Sequence, residues 1–270
     1  MKLFRKNHDR IRAVMTDIDG TLVDIESAAI PDEAVSALKK LRKKGIKTYI
    51  CTGRNRAEID SGIRSIGWDG MVLINGRLAL DENGEVIWNQ PIRPDQISGL
   101  LEMIRTDYFP VCFVCADQIF LNNRDGSVEQ LGVEPSLEEG QMDPRITSFD
   151  EIDGLDVYSL AVYAGSERDE SFRALFDDTN IERLTEGVLS VDPDYNGKID
   201  GARALLKNDS IPRTALLYLG DGEHDLRMIE YSGFSAAMPE SPEKVRQAAD
   251  FVTDKPAQGG FVNALRHFKI

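Results

Sequence analysis

The sequence predicts an α/β fold: a doubly wound parallel sheet interrupted by an inserted α+β domain. Three observations predict it. Short apolar runs alternate with segments of helical spacing over residues 11–76, and this alternation is typical of strand–helix–strand units. The same alternation returns after residue 198. In both regions the apolar runs end in polar, glycine-containing turns, as expected at the carboxyl ends of buried parallel strands.

The first region predicts three strands joined by two helices. The runs Ile11 to Thr16, Ile46 to Cys51 and Met71 to Ile74 are short and mostly apolar, as parallel strands covered on both faces usually are. Apolar residues recur at helical spacing from Pro31 to Gly45 and from Ile59 to Gly67. Each helix segment ends on a glycine that can cap it.

The alternation is lost near Asp81, so we assign residues 82–186 to an inserted domain and residues 1–81 and 187–270 to the core. The insert combines several strands with two helices, which predicts an α+β domain. The predicted insert elements are the strands Val111 to Cys115, Ile119 to Asn122 and Val157 to Tyr163, and the helices Asp95 to Thr106 and Glu167 to Asp177.

The last region continues the core. It is expected to contain a helix from Lys198 to Leu206, the strands Ala215 to Leu219, Phe234 to Met238 and Phe251 to Thr253, and the helices Leu226 to Ile229 and Ser241 to Ala249. This arrangement splits the core in sequence around the insert.

Composition excludes several classes of protein and of binding partner. The 270 residues carry 32 Lys and Arg against 46 Asp and Glu, a net charge of −14, which repels polyanions and makes nucleic acid a poor partner. The three cysteines are too few for a disulfide framework, and the charged first ten residues lack the apolar run of a signal peptide. No apolar run is long enough to span a membrane. We expect a soluble, acidic, cytoplasmic protein.

Carboxylates cluster at two predicted strand ends. Asp17 and Asp19 follow the first strand, while Asp221 and Asp225 follow the strand that ends near Leu219. Carboxylates that converge at one edge of a sheet repel one another unless a cation lies among them. Oxygen ligands suit Mg²⁺, so these four residues are candidate metal ligands.

Phosphate-binding groups are predicted at the same edge. Thr52 offers a hydroxyl at the end of the second strand, and Gly53 an unhindered backbone N–H at a helix start. Lys198 offers a point charge beside the next core helix. Together these groups suit a phosphoryl group.

Four motifs in chain order resemble those of the haloacid dehalogenase-like (HAD) hydrolases, whose core is Rossmann-like: DIDGT (Asp17 to Thr21), TGR (Thr52 to Arg54), Lys198 and GDGEHD (Gly220 to Asp225). The resemblance implies that Asp17 attacks phosphorus to form an aspartyl-phosphate and that Asp19 protonates the leaving oxygen and then activates water.

The resemblance also implies ligands. Asp17, the backbone carbonyl of Asp19, and either Asp221 or Asp225 would hold Mg²⁺. Thr52 and Lys198 would bind the phosphoryl oxygens. Dehalogenases of similar core lack the second acid of the first motif, so Asp19 favours phosphoryl transfer.

The long interval between Thr52 and Lys198 resembles the C2-capped branch, specifically the Cof-like (IIB) subfamily, in which Asn75-Gly76 leads into a cap that selects the substrate. Two positions depart from the family. His224 replaces the usual Asn between the last two acids, and Pro239-Glu240-Ser241 replaces the usual Gly-Asn-Ala. Asn75 and His224 are therefore candidate contacts to substrate or phosphate.

The leading hypothesis is a Mg²⁺-dependent phosphatase acting on a small phosphorylated metabolite, such as a sugar phosphate. One alternative is a phosphomutase of the phosphomannomutase-like type, which returns the phosphoryl group to the substrate. A second is a catalytically impaired phosphate-binding regulatory protein, suggested by His224 and Pro239-Glu240-Ser241.

Overall fold

The computed structural model describes residues 11–122, 145–146, 152–177, 180–192 and 197–270. These residues fall into two compact units. The core unit contains residues 11–53, 60–88 and 197–270, and the inserted unit contains residues 54–59 and the described residues from 89 to 192. No helix within these ranges has the length and apolar character needed to cross a membrane.

Strands of the described ranges are β1 (Ala13–Thr16), β2 (Lys47–Cys51), β3 (Gly70–Leu73), β4 (Leu78–Asp81), β5 (Val86–Asn89), β6 (Val111–Cys115), β7 (Ile119–Asn122), β8 (Arg145–Ile146), β9 (Val157–Tyr163), β10 (Asn180–Thr185), β11 (Val188–Asp192), β12 (Leu216–Gly220), β13 (Phe234–Ala237) and β14 (Phe251–Val252). The α-helices are α1 (Asp32–Lys43), α2 (Ser61–Ser65), α3 (Pro94–Thr106), α4 (Asp169–Leu175), α5 (Ile199–Asn208), α6 (Leu226–Tyr231), α7 (Glu243–Ala248) and α8 (Gly260–His267).

The core unit is built on an eight-stranded sheet in the order β14-β13-β12-β1-β2-β3-β4-β5. The six strands from β14 to β3 run parallel, and β4 is antiparallel to β3. β1 is fully buried and pairs with β12 on one side and β2 on the other. The α/β fold with a parallel sheet is therefore confirmed. The parallel register brings the carboxyl ends of β1, β2 and β12 to one edge.

Amphipathic helices cover this sheet. α1 buries Ala34, Leu38 and Leu41, whose spacing places them on one face of the helix. α5 contacts β3 and β4, with Leu205 fully buried. Helices that cover such a sheet explain why its central strands are mostly apolar.

The inserted unit is an α+β structure, as predicted. Its six-stranded sheet has the order β10-β11-β9-β6-β7-β8 and is antiparallel except for the β7–β8 pair. α3 and α4 pack on one face, where Phe113, Leu160 and Phe172 are fully or almost fully buried in one apolar cluster.

Both boundaries between the core unit and the inserted unit lie later in the chain than the boundaries assigned from the sequence, which are 81/82 and 186/187. The turn after β4 leads directly into β5, which adds to the core sheet and keeps residues up to Trp88 in the core unit. β11 pairs with β9, with Val188 opposite Tyr163, so it lies in the inserted sheet. Strand pairing, rather than a change of composition, determines both limits.

Candidate active site

Two strand ends of the core unit hold the first site residues. Asp17 follows β1, and its backbone N–H donates to the carbonyl of Leu219 in β12 at 2.9 Å. Thr52 follows β2, and its N–H donates to the carbonyl of Val72 in β3 at 2.9 Å. Continued pairing beyond the regular strands therefore fixes the backbone at both motifs.

A buried ammonium group bridges two carboxylates at this edge. Lys198 Nζ lies 2.6 Å from Asp17 Oδ1 and 2.7 Å from Asp225 Oδ1. The side chains of Lys198 and Asp225 are fully buried, and that of Asp17 is 3% exposed. We call these three residues the charge trio. Charge-assisted hydrogen bonds of this kind compensate the desolvation that burial imposes.

The trio shifts the pKa of each member. Burial raises the pKa of Asp17 well above its usual range, even though Lys198 lies beside it. Burial also disfavours the charged ammonium, but the neighbouring carboxylates outweigh it and raise the pKa of Lys198. At Asp225 the effect of burial is outweighed by Lys198 and further hydrogen-bond donors, so the pKa is lowered. Lys198 is therefore charged at neutral pH.

Asp225 is surrounded by donors. Its Oδ1 accepts from Lys198 and, at 2.5 Å, from the hydroxyl of Tyr218. Its Oδ2 accepts the backbone N–H groups of Asp221 and Gly222, each at 3.0 Å. His224 Nε2 lies 3.5 Å from Oδ2. Asp225 thus joins the turn after β12 to Lys198.

Asp221 lies in a different environment from Asp225. Thr21 in the loop after β1 donates its hydroxyl to Asp221 Oδ1 at 2.7 Å. Gly20 has φ +77°, and a Cβ there would lie 2.6 Å from Asp221 Oδ2, so the loop approaches the carboxylate closely only because position 20 is glycine. Burial, with a contribution from Asp225, raises the pKa of Asp221 to about 6.

Lys198 is held at its position by close backbone packing. It directly precedes α5, next to the turn that contains Asn75 and Gly76. A Cβ at Gly76, where φ is +96°, would lie 2.2 Å from the carbonyl oxygen of Gly197. Only glycine permits this approach, which fixes the lysine backbone against the end of β3.

The remaining predicted residues lie on the loops at the strand ends. Thr52 is buried, and its carbonyl accepts the N–H of Asn75 at 3.0 Å. The Asn75 side chain lies 3.3 Å from the position that a Cβ of Gly53 would take, so these two residues are neighbours. Asp19 is half-buried in the loop after Asp17. His224 is half exposed, and burial of its ring lowers its pKa below the usual 6.5.

One group among the described residues has metal-ligand spacing. Asp17, His224 and Asp225 offer ligand atoms within 4.8 Å of one another. Charge argues against Mg²⁺ at this point, because the Lys198 ammonium contacts both carboxylates and Asp225 already accepts four donors. An imidazole is also a poor ligand for Mg²⁺ compared with oxygen. Asp221 is the better partner for Asp17, because its carboxylate accepts a neutral hydroxyl, that of Thr21, and no ammonium group contacts it among the described residues.

Sequence reasoning missed two polar contacts of the site. Thr21 was part of a recognised motif but received no role, and Tyr218 was counted only as a residue of an apolar strand. The signal for Tyr218 was its place two residues before Gly220, in a strand otherwise made of leucine and glycine. A buried phenol in such a strand needs a hydrogen-bond partner.

Comparison with known proteins identifies the family. A family model described as haloacid dehalogenase-like hydrolase matches residues 14–265. The chain is 24% identical over 274 residues to the 5-amino-6-(5-phospho-D-ribitylamino)uracil phosphatase YcsE of Bacillus subtilis (strain 168), covering 99% of both chains.

Two solved structures have the same fold over nearly the whole chain. BT1666 from Bacteroides thetaiotaomicron, a phosphatase of the haloalkanoate (HAD) enzyme superfamily, has a TM-score of 0.80 and 26% identity, with 99% of this chain and 98% of that chain covered. The HAD subclass IIB sugar phosphatase BT4131 has a TM-score of 0.75 and 25% identity, with 96% and 99% covered.

Proposed function

The chain belongs to the haloacid dehalogenase-like hydrolases and is a phosphoric monoester hydrolase, and from this premise we propose a Mg²⁺-dependent reaction through an aspartyl-phosphate on Asp17. The observation that carries the proposal is the contact of 2.6 Å between the buried Lys198 ammonium and Asp17 Oδ1. A lysine so held keeps its charge beside the carboxylate and can contact both Asp17 and an incoming phosphoryl group.

The chemistry proceeds in two steps on the chain's own residues. A carboxylate oxygen of Asp17 attacks phosphorus, and the bond between phosphorus and the leaving oxygen breaks while Asp19 donates a proton to that oxygen. Asp19, now a carboxylate, takes a proton from water, and the resulting hydroxide attacks phosphorus and releases Asp17 and inorganic phosphate. Asp19 suits this exchange because it is half-buried and lies two residues from the nucleophile.

Phosphate binding is assigned to groups of the same edge. Lys198 supplies the positive charge, Thr52 its hydroxyl, and Gly53 its backbone N–H. The prediction that Gly53 stands at a helix start is wrong, because the next helix begins only at Ser61. Asn75 and His224 are proposed as further contacts to phosphate or substrate. Asn75 is exposed and adjoins Gly53, and His224 is half exposed beside Asp225.

Mg²⁺ is assigned to Asp17, the backbone carbonyl of Asp19, and Asp221. Oxygen atoms make up this set, as Mg²⁺ requires, and Asp221 has no ammonium group in contact with its carboxylate among the described residues. Asp225, which the sequence also offered as a ligand, is assigned instead to holding Lys198, because its oxygens already accept four donors. Bound Mg²⁺ would offset the negative charge of the carboxylates and the phosphoryl group.

The substrate class is proposed to be a small phosphorylated metabolite, with sugar phosphates as the first candidates. Relatives that share the fold include an enzyme named as a sugar phosphatase and others named as phosphatases of phosphoglycolate and of a phosphoribitylamino-uracil. All of these names describe small phosphoric monoesters. Selection among them is assigned to the inserted domain.

The test is release of inorganic phosphate from p-nitrophenyl phosphate and a panel of phosphorylated sugars, nucleotides and cofactors. Wild type and Asp17→Asn are compared with Mg²⁺ and with EDTA. We expect release only from wild type with Mg²⁺. Isomerisation of a sugar phosphate without phosphate release would favour the phosphomutase instead. Phosphate and Mg²⁺ binding by folded protein with no turnover across the panel would favour the non-catalytic binding protein.

A further inference from the structure

A buried tyrosine hydroxyl shares a carboxylate oxygen with Lys198. Tyr218 lies in the middle of β12, is fully buried, and donates to Asp225 Oδ1 at 2.5 Å. That same oxygen accepts Lys198 Nζ at 2.7 Å. The tyrosine thus contacts the acid that holds Lys198 and contacts neither Asp17 nor any other proposed substrate-binding residue through a hydrogen bond that the structure shows.

From this geometry we propose that Tyr218 is a positioning residue for the phosphate-binding lysine, acting through Asp225. The inference deepens the proposed function and rests on it. Asp225 is fixed from two sides: its Oδ2 accepts two backbone N–H groups of the turn after β12, and its Oδ1 accepts Tyr218 and Lys198. With both oxygens occupied, the carboxylate has one orientation, and Lys198 is directed by it toward Asp17.

Loss of the Tyr218 hydroxyl should change the position of Lys198 between its two carboxylate partners. Lys198 divides its hydrogen bonds between Asp17 and Asp225 at 2.6 and 2.7 Å. When Oδ1 loses its second donor, Lys198 is the remaining donor to that oxygen and is drawn toward Asp225. It then lies further from the phosphoryl group. A misplacement of about 1 Å can lower the rate about 100-fold.

A packing role alone would predict a different result, and the chain provides a matched control. Tyr49 in β2 is also fully buried and also donates its hydroxyl to a carboxylate at 2.5 Å, that of Asp209. Asp209 lies at the end of α5, opposite the end that follows Lys198. Tyr49→Phe therefore removes the same kind of hydroxyl–carboxylate hydrogen bond, at a carboxylate that is 16% exposed, without touching the charge trio.

The experiment compares Tyr218→Phe with Tyr49→Phe in the full chain with Mg²⁺. Steady-state kinetics are measured on p-nitrophenyl phosphate, and binding of inorganic phosphate by calorimetry. For Tyr218→Phe we expect kcat/KM to fall about 10- to 100-fold and the Kd for phosphate to rise about tenfold. For Tyr49→Phe, kcat/KM and the Kd for phosphate should stay within about threefold of wild type. The two variants should lose similar thermal stability.

Equal kinetic losses in the two variants would overturn the inference, as would unchanged phosphate binding in Tyr218→Phe. A double variant tests whether Tyr218 acts through Asp225. In an Asp225→Asn background, Tyr218→Phe should change the Kd for phosphate by less than about threefold, because the contact it supports is already altered. A further tenfold loss there would show that Tyr218 acts by another route.

The experiment still decides the role of Tyr218 if the variant does not fold or if the proposed function fails. If Tyr218→Phe does not fold, 4-aminophenylalanine at position 218 keeps the ring and an N–H donor; phosphate binding within about threefold of wild type supports the inference, and a tenfold loss overturns it. If wild type binds phosphate but hydrolyses nothing in the panel, the proposed function fails, while the comparison of phosphate Kd values still decides the role of Tyr218.

Discussion

Substitutions in the charge trio should separate activity from stability. With all three groups ionised, Lys198, Asp17 and Asp225 carry one net negative charge in a space from which water is almost excluded. Asp17→Asn makes the trio neutral, whereas Lys198→Met leaves two unpaired carboxylates. Both variants should lose turnover. Their free energies of unfolding, measured without Mg²⁺ at pH 7.5, should move in opposite directions.

The magnitudes follow from the contacts. Lys198→Met removes the donor that lies 2.6 and 2.7 Å from the two carboxylate oxygens, and removal of one partner from a buried pair costs about 3–5 kcal/mol. At about 2–4 °C per kcal/mol for a chain of this size, the melting temperature should fall by roughly 6–20 °C. Asp17→Asn removes a carboxylate whose ionisation burial opposes, which should raise the free energy of unfolding.

The pH dependence gives a further check on Asp17→Asn. The folded pKa of Asp17 is raised above the unfolded value, so the folded state binds the proton more tightly and wild-type stability falls as pH rises through the folded pKa. The advantage of Asn should therefore be present at pH 7.5 and shrink toward about pH 4, the usual pKa of an Asp carboxyl.

Thermal and urea unfolding in EDTA, followed by circular dichroism, measure these changes, and phosphate release with Mg²⁺ measures activity. Lys47→Met is the matched control, because Lys47 contacts three carboxylates at 3.3–3.5 Å but is 34% exposed; its loss should cost less than about 1 kcal/mol. The reasoning is refuted if Lys198→Met is no less stable than Lys47→Met, or if Asp17→Asn is less stable than wild type.

Three other variants and one control, Gly45→Ala, test the surroundings of the trio. Gly20→Ala and Gly45→Ala both place alanine at positive φ, but only the first adds a Cβ within 2.6 Å of Asp221. Both variants should lose about 1–2 kcal/mol of stability. Only Gly20→Ala should weaken Mg²⁺ binding, which calorimetry measures. Asp221→Asn should abolish the stabilisation by Mg²⁺ in thermal unfolding. Because the pKa of Asp221 in wild type is raised to about 6, the metal-free variant should be more stable than wild type above pH 6 but not near pH 4. His224→Asn should leave kcat/KM within about fivefold at pH 7.5, since the lowered pKa keeps His224 neutral there, and a pH–rate profile that differs from wild type above pH 7 would contradict this.

The parallel core could be predicted because its central strands are buried and are therefore mostly apolar. The antiparallel strands were harder. β4 and β5 flank a turn that the sequence does show, at Asp81 to Gly84, but a hairpin turn does not reveal which sheet it extends. β10 was missed because Glu182 and Leu184 are exposed, so its side chains give no strong alternation. In each case pairing with a strand that is next in the chain supplied what the side-chain pattern lacked.

Asp17, Thr52 and Asp221 could be placed at one edge from the sequence because each follows a strand of the parallel sheet, and such strands end at one edge. Lys198 instead precedes α5. The sequence left open whether Asp221 or Asp225 faces the metal. Both belong to one short motif, and spacing alone treats them alike. Their contacts distinguish them: Asp225 is fully buried and touches Lys198, whereas Asp221 is half-buried and accepts the Thr21 hydroxyl.

One local structure fixes both acids. Asp225 Oδ2 accepts the N–H of Asp221, so the turn that presents Asp221 is held by the same carboxylate that holds Lys198. Neutralising Asp225 would weaken the turn and release the lysine together, whereas neutralising Asp221 leaves the hydrogen bonds of Asp225 intact. The lysine proposed to contact phosphate and the acid assigned to Mg²⁺ are thus positioned by one buried carboxylate, because its Oδ1 accepts Lys198 and its Oδ2 accepts the N–H of Asp221.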